Sequence, residues 1–341
     1  MNKKIKWGIL GTGYIANIFA SAINDSDTCE LYAIASRYQA KAEFFGRLHK
    51  VPKFFSSYQS LLSDENINAI YIALPHSIHA EWTEKSILAK KHVLCEKPLT
   101  INYAEALRVV NLARLNNVFL MEAFAFKSHP QTKKLVDLIK AREIGDIRVI
   151  NATFSFNSEL NQFDKEEIKN RGGGAVLDAG CYPISMITKL IGEYSGSILA
   201  VPDDICGVSF VDEDKIDQIS ICCLKFPNGI MAQVSCGISV DQDNSLRIYG
   251  SGGDILVKSP WIPGGRIPGV TEIMVNKKGS IQPHVLSIET LKSSTLLQID
   301  QFAENISNKE IWGFVSNESL INMKILDRWR RFNKIIYKAD F

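Results

Sequence analysis

Two side chains that can give or take a proton stand four residues apart near the middle of the chain. They are Asp178 and Tyr182, in the stretch RGGGAVLDAGCYP that runs from 171 to 183. A separation of four is about one helical turn, so both side chains would emerge on one face of a helix. The three consecutive glycines at 172–174 give the backbone freedom where a ligand comes close. Considered singly, Asp178 could equally be a helix cap and Tyr182 a core residue.

A third chemically useful group is Lys97, in the tripeptide EKP at 96–98. It follows a predicted strand at 92–95, and the carboxyl end of such a strand in a parallel sheet faces the ligand crevice. Pro98 restricts Lys97 to extended backbone. A free tyrosine has a pKa of about 10, and a nearby cation favours its charged form. Lys97 and Tyr182 together predict a proton-transfer site, with a surface turn as the alternative for Lys97.

The elements that would carry these groups begin with a glycine turn. The stretch IKWGILGTGYIA at 5–16 is a short apolar run, then Gly11-Thr12-Gly13, then residues with helical spacing. In this pattern Gly11 allows the tight turn, Gly13 lets a pyrophosphate approach the backbone, and Ala16 packs the helix on its strand. The helix N-terminus offers free N–H groups and a partial positive charge to phosphates. The pattern predicts a dinucleotide site, with an ordinary glycine turn as the alternative.

The predicted second strand, 30–35, is followed by Ser36-Arg37, where a cofactor without a 2′-phosphate would require an Asp or Glu. A hydroxyl and a guanidinium suit a 2′-phosphate, so the sequence favours NADP(H), with NAD(H) as the alternative. His76 and His79 could suggest a metal, but no third ligand is near them in sequence, and no metal site is predicted. The predicted cofactor-binding residues are Gly11, Thr12, Gly13, Tyr14, Ile15, Ser36, Arg37, Leu74, Pro75, His76, His79, Glu96 and Lys97.

Strand and helix patterns alternate over residues 1–123, which predicts a doubly wound parallel sheet of the Rossmann kind. From residue 124 the apolar spacing shortens towards two, and Pro227-Asn228-Gly229 signals a hairpin. Residues 124–341 are predicted to form a substrate and oligomerisation domain of α+β type. Its open, mostly antiparallel sheet would be covered on one face by helices such as 180–191. The fold class is therefore α/β.

The composition excludes several classes of protein. The net charge of +2 over 341 residues gives no reason to expect nucleic acid or an anionic membrane as a partner. The seven cysteines are odd in number and mostly lie in apolar runs, which indicates buried thiols in a reducing compartment. No apolar run is long enough to span a membrane, and the N-terminal pattern is not that of a signal peptide. The sequence predicts a cytoplasmic protein.

Four motifs spread over the chain resemble those of one enzyme family. They are GTGYIA at 11–16, EKP at 96–98, MEAF at 121–124 with His129-Pro130-Gln131, and GGGAVLDAGCYP at 172–183. In these motifs the chain resembles the glucose–fructose oxidoreductase and inositol dehydrogenase (Gfo/Idh/MocA) family, in the branch that includes dimeric dihydrodiol dehydrogenase and xylose dehydrogenases. The resemblance implies a Rossmann domain and a second domain whose open sheet pairs between subunits. It also implies that the catalytic group is Lys97, Asp178 and Tyr182.

The predicted function is reversible hydride transfer between C4 of a nicotinamide and a carbinol or carbonyl carbon of a sugar or sugar-like diol. Tyr182 would act as acid or base with the help of Lys97, and Asp178 would orient the substrate hydroxyl or the lysine amine. The predicted substrate contacts are Phe126, Lys127 and Arg171. At the first two of these positions the branch usually carries an aromatic–Arg pair, so the substrate contacts of this chain differ from it.

Two alternative functions stay open. One is a ketoreductase that acts on a nucleotide-linked keto-sugar, whose diphosphate Lys127 or Arg171 could receive. The other is a non-catalytic, nicotinamide-sensing regulatory protein, although such a relative should have lost the Lys97, Asp178 and Tyr182 group. In each case the open sheet predicts a homodimer or homotetramer.

Overall fold

The computed structural model describes residues 4–158, 172–197 and 199–336. These residues divide into two compact units. The first unit consists of Met1–Thr100, Ala104–Ala125 and Thr295–Asn317, and the second of Ile101–Tyr103, Phe126–Ser294 and Glu318–Phe341. Each unit is built on a sheet of its own.

The first unit contains a six-stranded parallel sheet in the order β3-β2-β1-β4-β5-β6. The strands are β1 (Ile5–Leu10), β2 (Cys29–Ala35), β3 (Lys53–Phe55), β4 (Ala69–Ile72), β5 (His92–Glu96) and β6 (Leu120–Ala123). The order reverses between β1 and β4, which is the switch point where doubly wound sheets bind their ligands. The predicted doubly wound sheet is confirmed.

Helices connect these strands as the apolar spacing predicts. They are α1 (Tyr14–Ile23), α2 (Gln39–Leu48), α3 (Tyr58–Leu62), α4 (His79–Leu88) and α5 (Tyr103–Asn116). The core of the unit centres on Trp7 of β1, whose ring lies 5.3 Å from that of Phe19 and 4.7 Å from that of Phe302. All three side chains are fully buried.

Phe302 belongs to a helix far along the chain, α8 (Ser294–Ser307). Residues 295–317, which the sequence analysis includes in its second domain, pack with the first unit. The reason is burial of apolar surface, since Ile299 and Phe302 join the core around Trp7 and Phe119. An amphipathic pattern shows that a helix buries one face, but not which core receives it.

The second unit contains an eight-stranded sheet in the order β14-β13-β12-β11-β7-β10-β9-β8. The strands are β7 (Ile147–Ser155), β8 (Asp204–Val211), β9 (Asp217–Lys225), β10 (Met231–Gly237), β11 (Leu246–Gly250), β12 (Gly253–Val257), β13 (Gly269–Lys277) and β14 (His284–Thr290). Neighbours are antiparallel except β7 and β10, which are parallel. The mostly antiparallel sheet and the hairpin between β9 and β10 are confirmed, while β14 was not predicted.

Helices pack on one face of this sheet. They are α6 (Pro130–Lys140) and α7 (Cys181–Ser195), while α9 (Trp312–Phe332) belongs to the same unit from Glu318 onward. The predicted helix 180–191 is thus longer at its C-terminal end, and a π-helical turn at Val176–Gly180 precedes it. Gly180 has no room for a side chain, because a Cβ there would lie 2.8 Å from the Trp329 ring. On the other face of the sheet Val208 and Phe210 are 68% and 62% exposed.

Five of the seven cysteines are buried, and Cys206 and Cys223 are exposed on neighbouring strands. Among the described residues no helix combines the length and the apolar character needed to cross a bilayer.

Candidate functional site

The two glycines of the turn after β1 have different surroundings. Gly11 has a φ of +105°, and a Cβ on it would lie 2.3 Å from the backbone oxygen of Ala73. Gly13 directly precedes α1 with a φ of −78°, and no atom lies within 4 Å of the position of its Cβ. Gly11 is therefore required by the backbone, whereas Gly13 leaves open space before the helix N-terminus. That space fits the approach of a pyrophosphate.

A groove of about 410 Å³ adjoins this turn. Its lining residues are Thr12, Gly13, Asn17, Ala40, Lys41, Phe44 and Phe45. Ser36 is buried at the end of β2, and Arg37 is exposed after it. Lys41 is a cation in the groove that the sequence analysis did not single out. A basic residue early in α2 was the available signal, since α2 follows β2 and the Ser36-Arg37 pair.

The backbone around Lys97 is fixed on both sides by carboxylates. The Glu96 carboxylate accepts from the Tyr71 hydroxyl at 2.5 Å and from the Lys97 N–H at 3.3 Å. Beyond the cis Lys97–Pro98 peptide bond, the Leu99 N–H donates to Glu122 at 2.8 Å. Lys97 itself is half-buried at the carboxyl end of β5. This arrangement holds the lysine at one position in the first unit.

His79 is wholly buried at the start of α4. Its Nδ1 lies 2.8 Å from the Pro98 carbonyl oxygen and its Nε2 lies 2.7 Å from that of Leu74. Burial lowers the pKa of His79, although the two carbonyls act in the opposite direction. The sequence predicts His79 to be a cofactor contact, but in the structure both of its ring nitrogens face backbone carbonyls. The ring of His79 therefore joins the segments of Pro98 and Leu74.

The predicted cofactor-binding residues lie where β1, β2, β4 and β5 end or directly after these strands. The parallel strands bring their carboxyl ends to one edge of the sheet, so the predicted set gathers there. Within it Gly13, Tyr14 and Arg37 are exposed, and Leu74 is buried. The remaining partly exposed members are Thr12, Ile15, Pro75, His76, Glu96 and Lys97.

In the second unit, Asp178 lies in the π-helical turn that precedes α7. Its carboxylate accepts from the Gly174 N–H at 3.0 Å, and its own N–H donates to the Gly174 oxygen at 2.8 Å. Gly172 and Gly174 both have positive φ, at 72° and 153°, which explains why glycine occupies these positions. The carboxylate of buried Asp217 accepts from the Val176 N–H at 2.7 Å and so caps the turn. π-Helical turns are frequent at functional sites.

Tyr182 lies in the first turn of α7 and is half-buried among other aromatic rings. Its ring centroid lies 4.8 Å from that of Phe154 and 5.8 Å from that of Phe126. Trp261 packs against both phenylalanines at about 6 Å and donates from its indole to the Thr153 oxygen at 2.7 Å. Phe126, Phe154, Tyr182 and Trp261 form what we call the aromatic cluster. Phe154 and Trp261 were not predicted, because nothing in their local sequence indicates which rings they meet.

The remaining predicted substrate contacts have different surroundings. The Lys127 ammonium lies 2.8 Å from the Glu318 carboxylate, and the same carboxylate lies 3.4 Å from the Lys189 ammonium. Lys127 is therefore part of an ion cluster within the second unit. Arg171 lies outside the described residues. Within the described ranges, no group of three or more His, Cys, Asp or Glu side chains could hold a metal.

Two family models match the chain. Residues 5–124 match that of the oxidoreductase family with an NAD-binding Rossmann fold. Residues 132–256 match the GFO/IDH/MocA C-terminal domain.

The chain is also similar to characterised proteins over most of its length. A trans-1,2-dihydrobenzene-1,2-diol dehydrogenase of Mus musculus is 31% identical over 285 residues, which are 83% of this chain and 81% of that protein. The enzyme of the same name from Xenopus laevis is 32% identical over 80% of this chain and 79% of that protein. A 3-ketoreductase from Actinomadura kijaniata, solved with NADP and TDP-benzene, has a TM-score of 0.84 and 26% identity. That comparison covers 96% of this chain and 98% of the ketoreductase.

Proposed function

Since the chain belongs to the Gfo/Idh/MocA family and is an NAD(P)-dependent oxidoreductase, we propose that it interconverts a carbinol and a carbonyl in a sugar or sugar-like diol. The observation that carries this proposal is the position of Tyr182. Its phenol is half-buried in the aromatic cluster, one turn beyond Asp178, in the unit that matches the family's C-terminal domain.

The proposed roles follow from where the hydride and the proton must go in the reaction. The bound nicotinamide supplies or accepts the hydride at its C4. A hydride carries no proton, so the substrate oxygen must exchange one with the protein, and we assign this exchange to Tyr182. Lys97 is the cation that favours the phenolate and donates a hydrogen bond to the substrate oxygen. Asp178 orients the substrate hydroxyl or the lysine amine.

NADP(H) is the proposed cofactor. Ser36 directly follows β2, Arg37 is exposed after it, and Lys41 lines the groove beside the glycine turn. Two cations and a hydroxyl suit a 2′-phosphate, and the Actinomadura ketoreductase was solved with NADP. A fluorescence titration with NADPH and NADH tests this. Arg37→Ala should weaken NADPH binding but not NADH binding, whereas Arg47→Ala, which removes an exposed guanidinium from α2, should change neither.

The aromatic cluster supports a substrate with an apolar ring face. Sugars and cyclic diols have carbon–hydrogen faces that pack on aromatic rings and hydroxyl edges that need polar partners. The relatives from Mus musculus and Xenopus laevis are named for a cyclic diol. We therefore place free sugars and cyclic diols first among the candidate substrates.

A nucleotide-linked keto-sugar is the second candidate, favoured by the similarity to the 3-ketoreductase that was solved with TDP-benzene. The second unit has a cavity of about 420 Å³ whose lining includes Lys258, Ser259 and Gln131. These polar groups could receive part of a larger substrate. Turnover on nucleotide-linked keto-sugars, with none on free sugars or diols, would favour this candidate.

The test is a substrate panel followed by the absorbance of the reduced nicotinamide. Free sugars, cyclic diols and nucleotide-linked keto-sugars are each offered with NADP(H) and NAD(H). On any active substrate, Tyr182→Phe should lose turnover, while the same substitution at Tyr194 of α7 serves as the control. NADPH binding without turnover on any member of the panel would contradict the proposal and favour a regulatory protein.

We further propose that a second copy of the chain covers the outer face of the eight-stranded sheet, giving a homodimer or a homotetramer. The support is the exposure of Val208 and Phe210 on β8, at the end of the sheet. Light scattering on Phe210→Glu should give a smaller assembly than the wild type. Leu115→Glu, a change of equal charge on an exposed residue of α5, should leave the assembly unchanged. A monomeric wild-type protein would refute the proposal.

A further inference from the structure

A buried carboxylate in the second unit bonds two ammonium groups at once. Glu318 of α9 lies 2.8 Å from the Lys127 ammonium and 3.4 Å from that of Lys189. The three side chains are only 9%, 14% and 17% exposed. Burial by itself would raise the pKa of Glu318, but the two cations lower it below its usual value. Glu318 is therefore an anion that pairs with both ammonium groups at once.

The two cations belong to the two segments that meet at the Tyr182 phenol. Lys127 directly follows Phe126, whose fully buried ring packs against Tyr182 at 5.8 Å. Lys189 lies on α7 seven residues after Tyr182, which is about two helical turns and places both on the same side of the helix. A single carboxylate thus joins the segment that carries Phe126 to the helix that carries Tyr182.

Glu193, a second carboxylate near Lys189, does not make the same connection. Glu193 lies 3.8 Å from the Lys189 ammonium and 3.2 Å from that of Lys140, and its side chain is more exposed than that of Glu318. It joins α7 to α6, not to the segment at Phe126. Glu193 is accordingly a matched control for loss of one carboxylate from the same charge network.

We propose that Glu318 is a positioning residue for the oxidoreductase reaction. It fixes the Phe126-Lys127 segment against α7 and so holds the Tyr182 phenol in the direction that proton transfer requires. The inference rests on the proposed function, because it takes Tyr182 as the acid or base. It also gives Lys127 a role different from the substrate contact that the sequence suggests. When Glu318 is neutral, the ion pairs that connect the Phe126-Lys127 segment to α7 are lost.

The test compares Glu318→Gln with Glu193→Gln on the full chain, with turnover expressed per NADPH-binding site. A displacement of about 1 Å at a reacting group can cost roughly 100-fold in rate. We expect kcat of Glu318→Gln to fall by about 10- to 100-fold, with NADPH affinity and KM near wild type. Glu193→Gln should keep its kcat. A purely structural role would instead reduce the number of NADPH-binding sites and leave kcat per site unchanged.

Variants of Lys127 provide an independent test of the same proposal, in case Glu318→Gln does not fold. Lys127→Met removes the ammonium group that bonds Glu318 and should lower kcat. The Lys127→Met/Glu318→Gln double variant should lose no more than the poorer single variant, because both remove one connection. Wild-type kcat in Lys127→Met, or in folded Glu318→Gln, would overturn the positioning role. Wild-type kcat in Tyr182→Phe would instead overturn the proposed function, so the two failures are distinguishable.

Discussion

Substituting alanine for each of the two glycines in the turn after β1 should show that one glycine serves folding and the other serves cofactor binding. A Cβ on Gly13 meets no atom within 4 Å, and the residue has a negative φ. Gly13→Ala should therefore leave the free energy of unfolding within about 1 kcal/mol of wild type. The added methyl group occupies the space through which a pyrophosphate would reach the backbone. Loss of one hydrogen bond to a charged group costs about 1.5–3 kcal/mol, so the Kd for NADPH should rise about 10- to 150-fold.

Gly11→Ala should act on folding instead. Its φ of +105° costs an L-residue roughly 1–2 kcal/mol, and the Cβ would overlap the Ala73 oxygen at 2.3 Å. We expect a loss of roughly 3 kcal/mol or more in the free energy of unfolding. Urea denaturation without cofactor measures stability, and fluorescence titration with NADPH measures affinity. Gly313→Ala, also with open space around its Cβ and also in the first unit, is the control for both.

Two outcomes would contradict these predictions. If Gly13→Ala binds NADPH as tightly as the wild type, then the space before α1 does not receive the pyrophosphate. If Gly11→Ala is as stable as Gly13→Ala, then the backbone argument for Gly11 fails.

Three further predictions concern the first unit. His79→Leu removes the imidazole that lies between the Pro98 and Leu74 carbonyls, of which its neutral form can bond one, and should cost about 1–3 kcal/mol in urea denaturation, with an unchanged unfolding midpoint as the contradicting result. Phe302→Ala should cost about 3–5 kcal/mol and weaken the Trp7 core, whereas a loss below 1 kcal/mol would show that α8 does not belong to it. Burial lowers the pKa of His79 and His92, so the unfolded chain takes up protons before the folded one. Stability should therefore decline as pH falls below about 6.5, and a melting temperature constant from pH 8 to pH 5 would refute this.

The features that the sequence predicted are those set by neighbouring residues. The glycine turn at Gly11 and Gly13, the parallel strands and the hairpin at 227–229 each depend on a few consecutive residues, and each is recognisable by its periodicity or turn chemistry. The run of glycines before Asp178 was likewise identified as special, and the positive φ of Gly172 and Gly174 supplies the reason.

What the sequence did not predict depends on partners distant along the chain. The packing of Phe302 on Trp7 and the ion pairs of Glu318 join residues 129 or more positions apart. His79 was predicted to contact the cofactor because it follows the end of a strand. In the structure its two ring nitrogens lie within hydrogen-bond distance of the Pro98 and Leu74 carbonyl oxygens. Periodicity indicates that a side chain is buried, but it does not indicate which distant residue packs against it.

The most direct test of the account measures turnover in Lys97→Met, Tyr182→Phe and the double variant, with NADPH affinity measured on the same samples. If both residues serve the reacting oxygen, each single change should lower kcat by about 10²- to 10⁴-fold with NADPH binding retained. The double variant should lose little more than the poorer single one, because groups that act as a unit are not additive. Near-normal turnover in both single variants, or fully additive losses in the double variant, would contradict the claim.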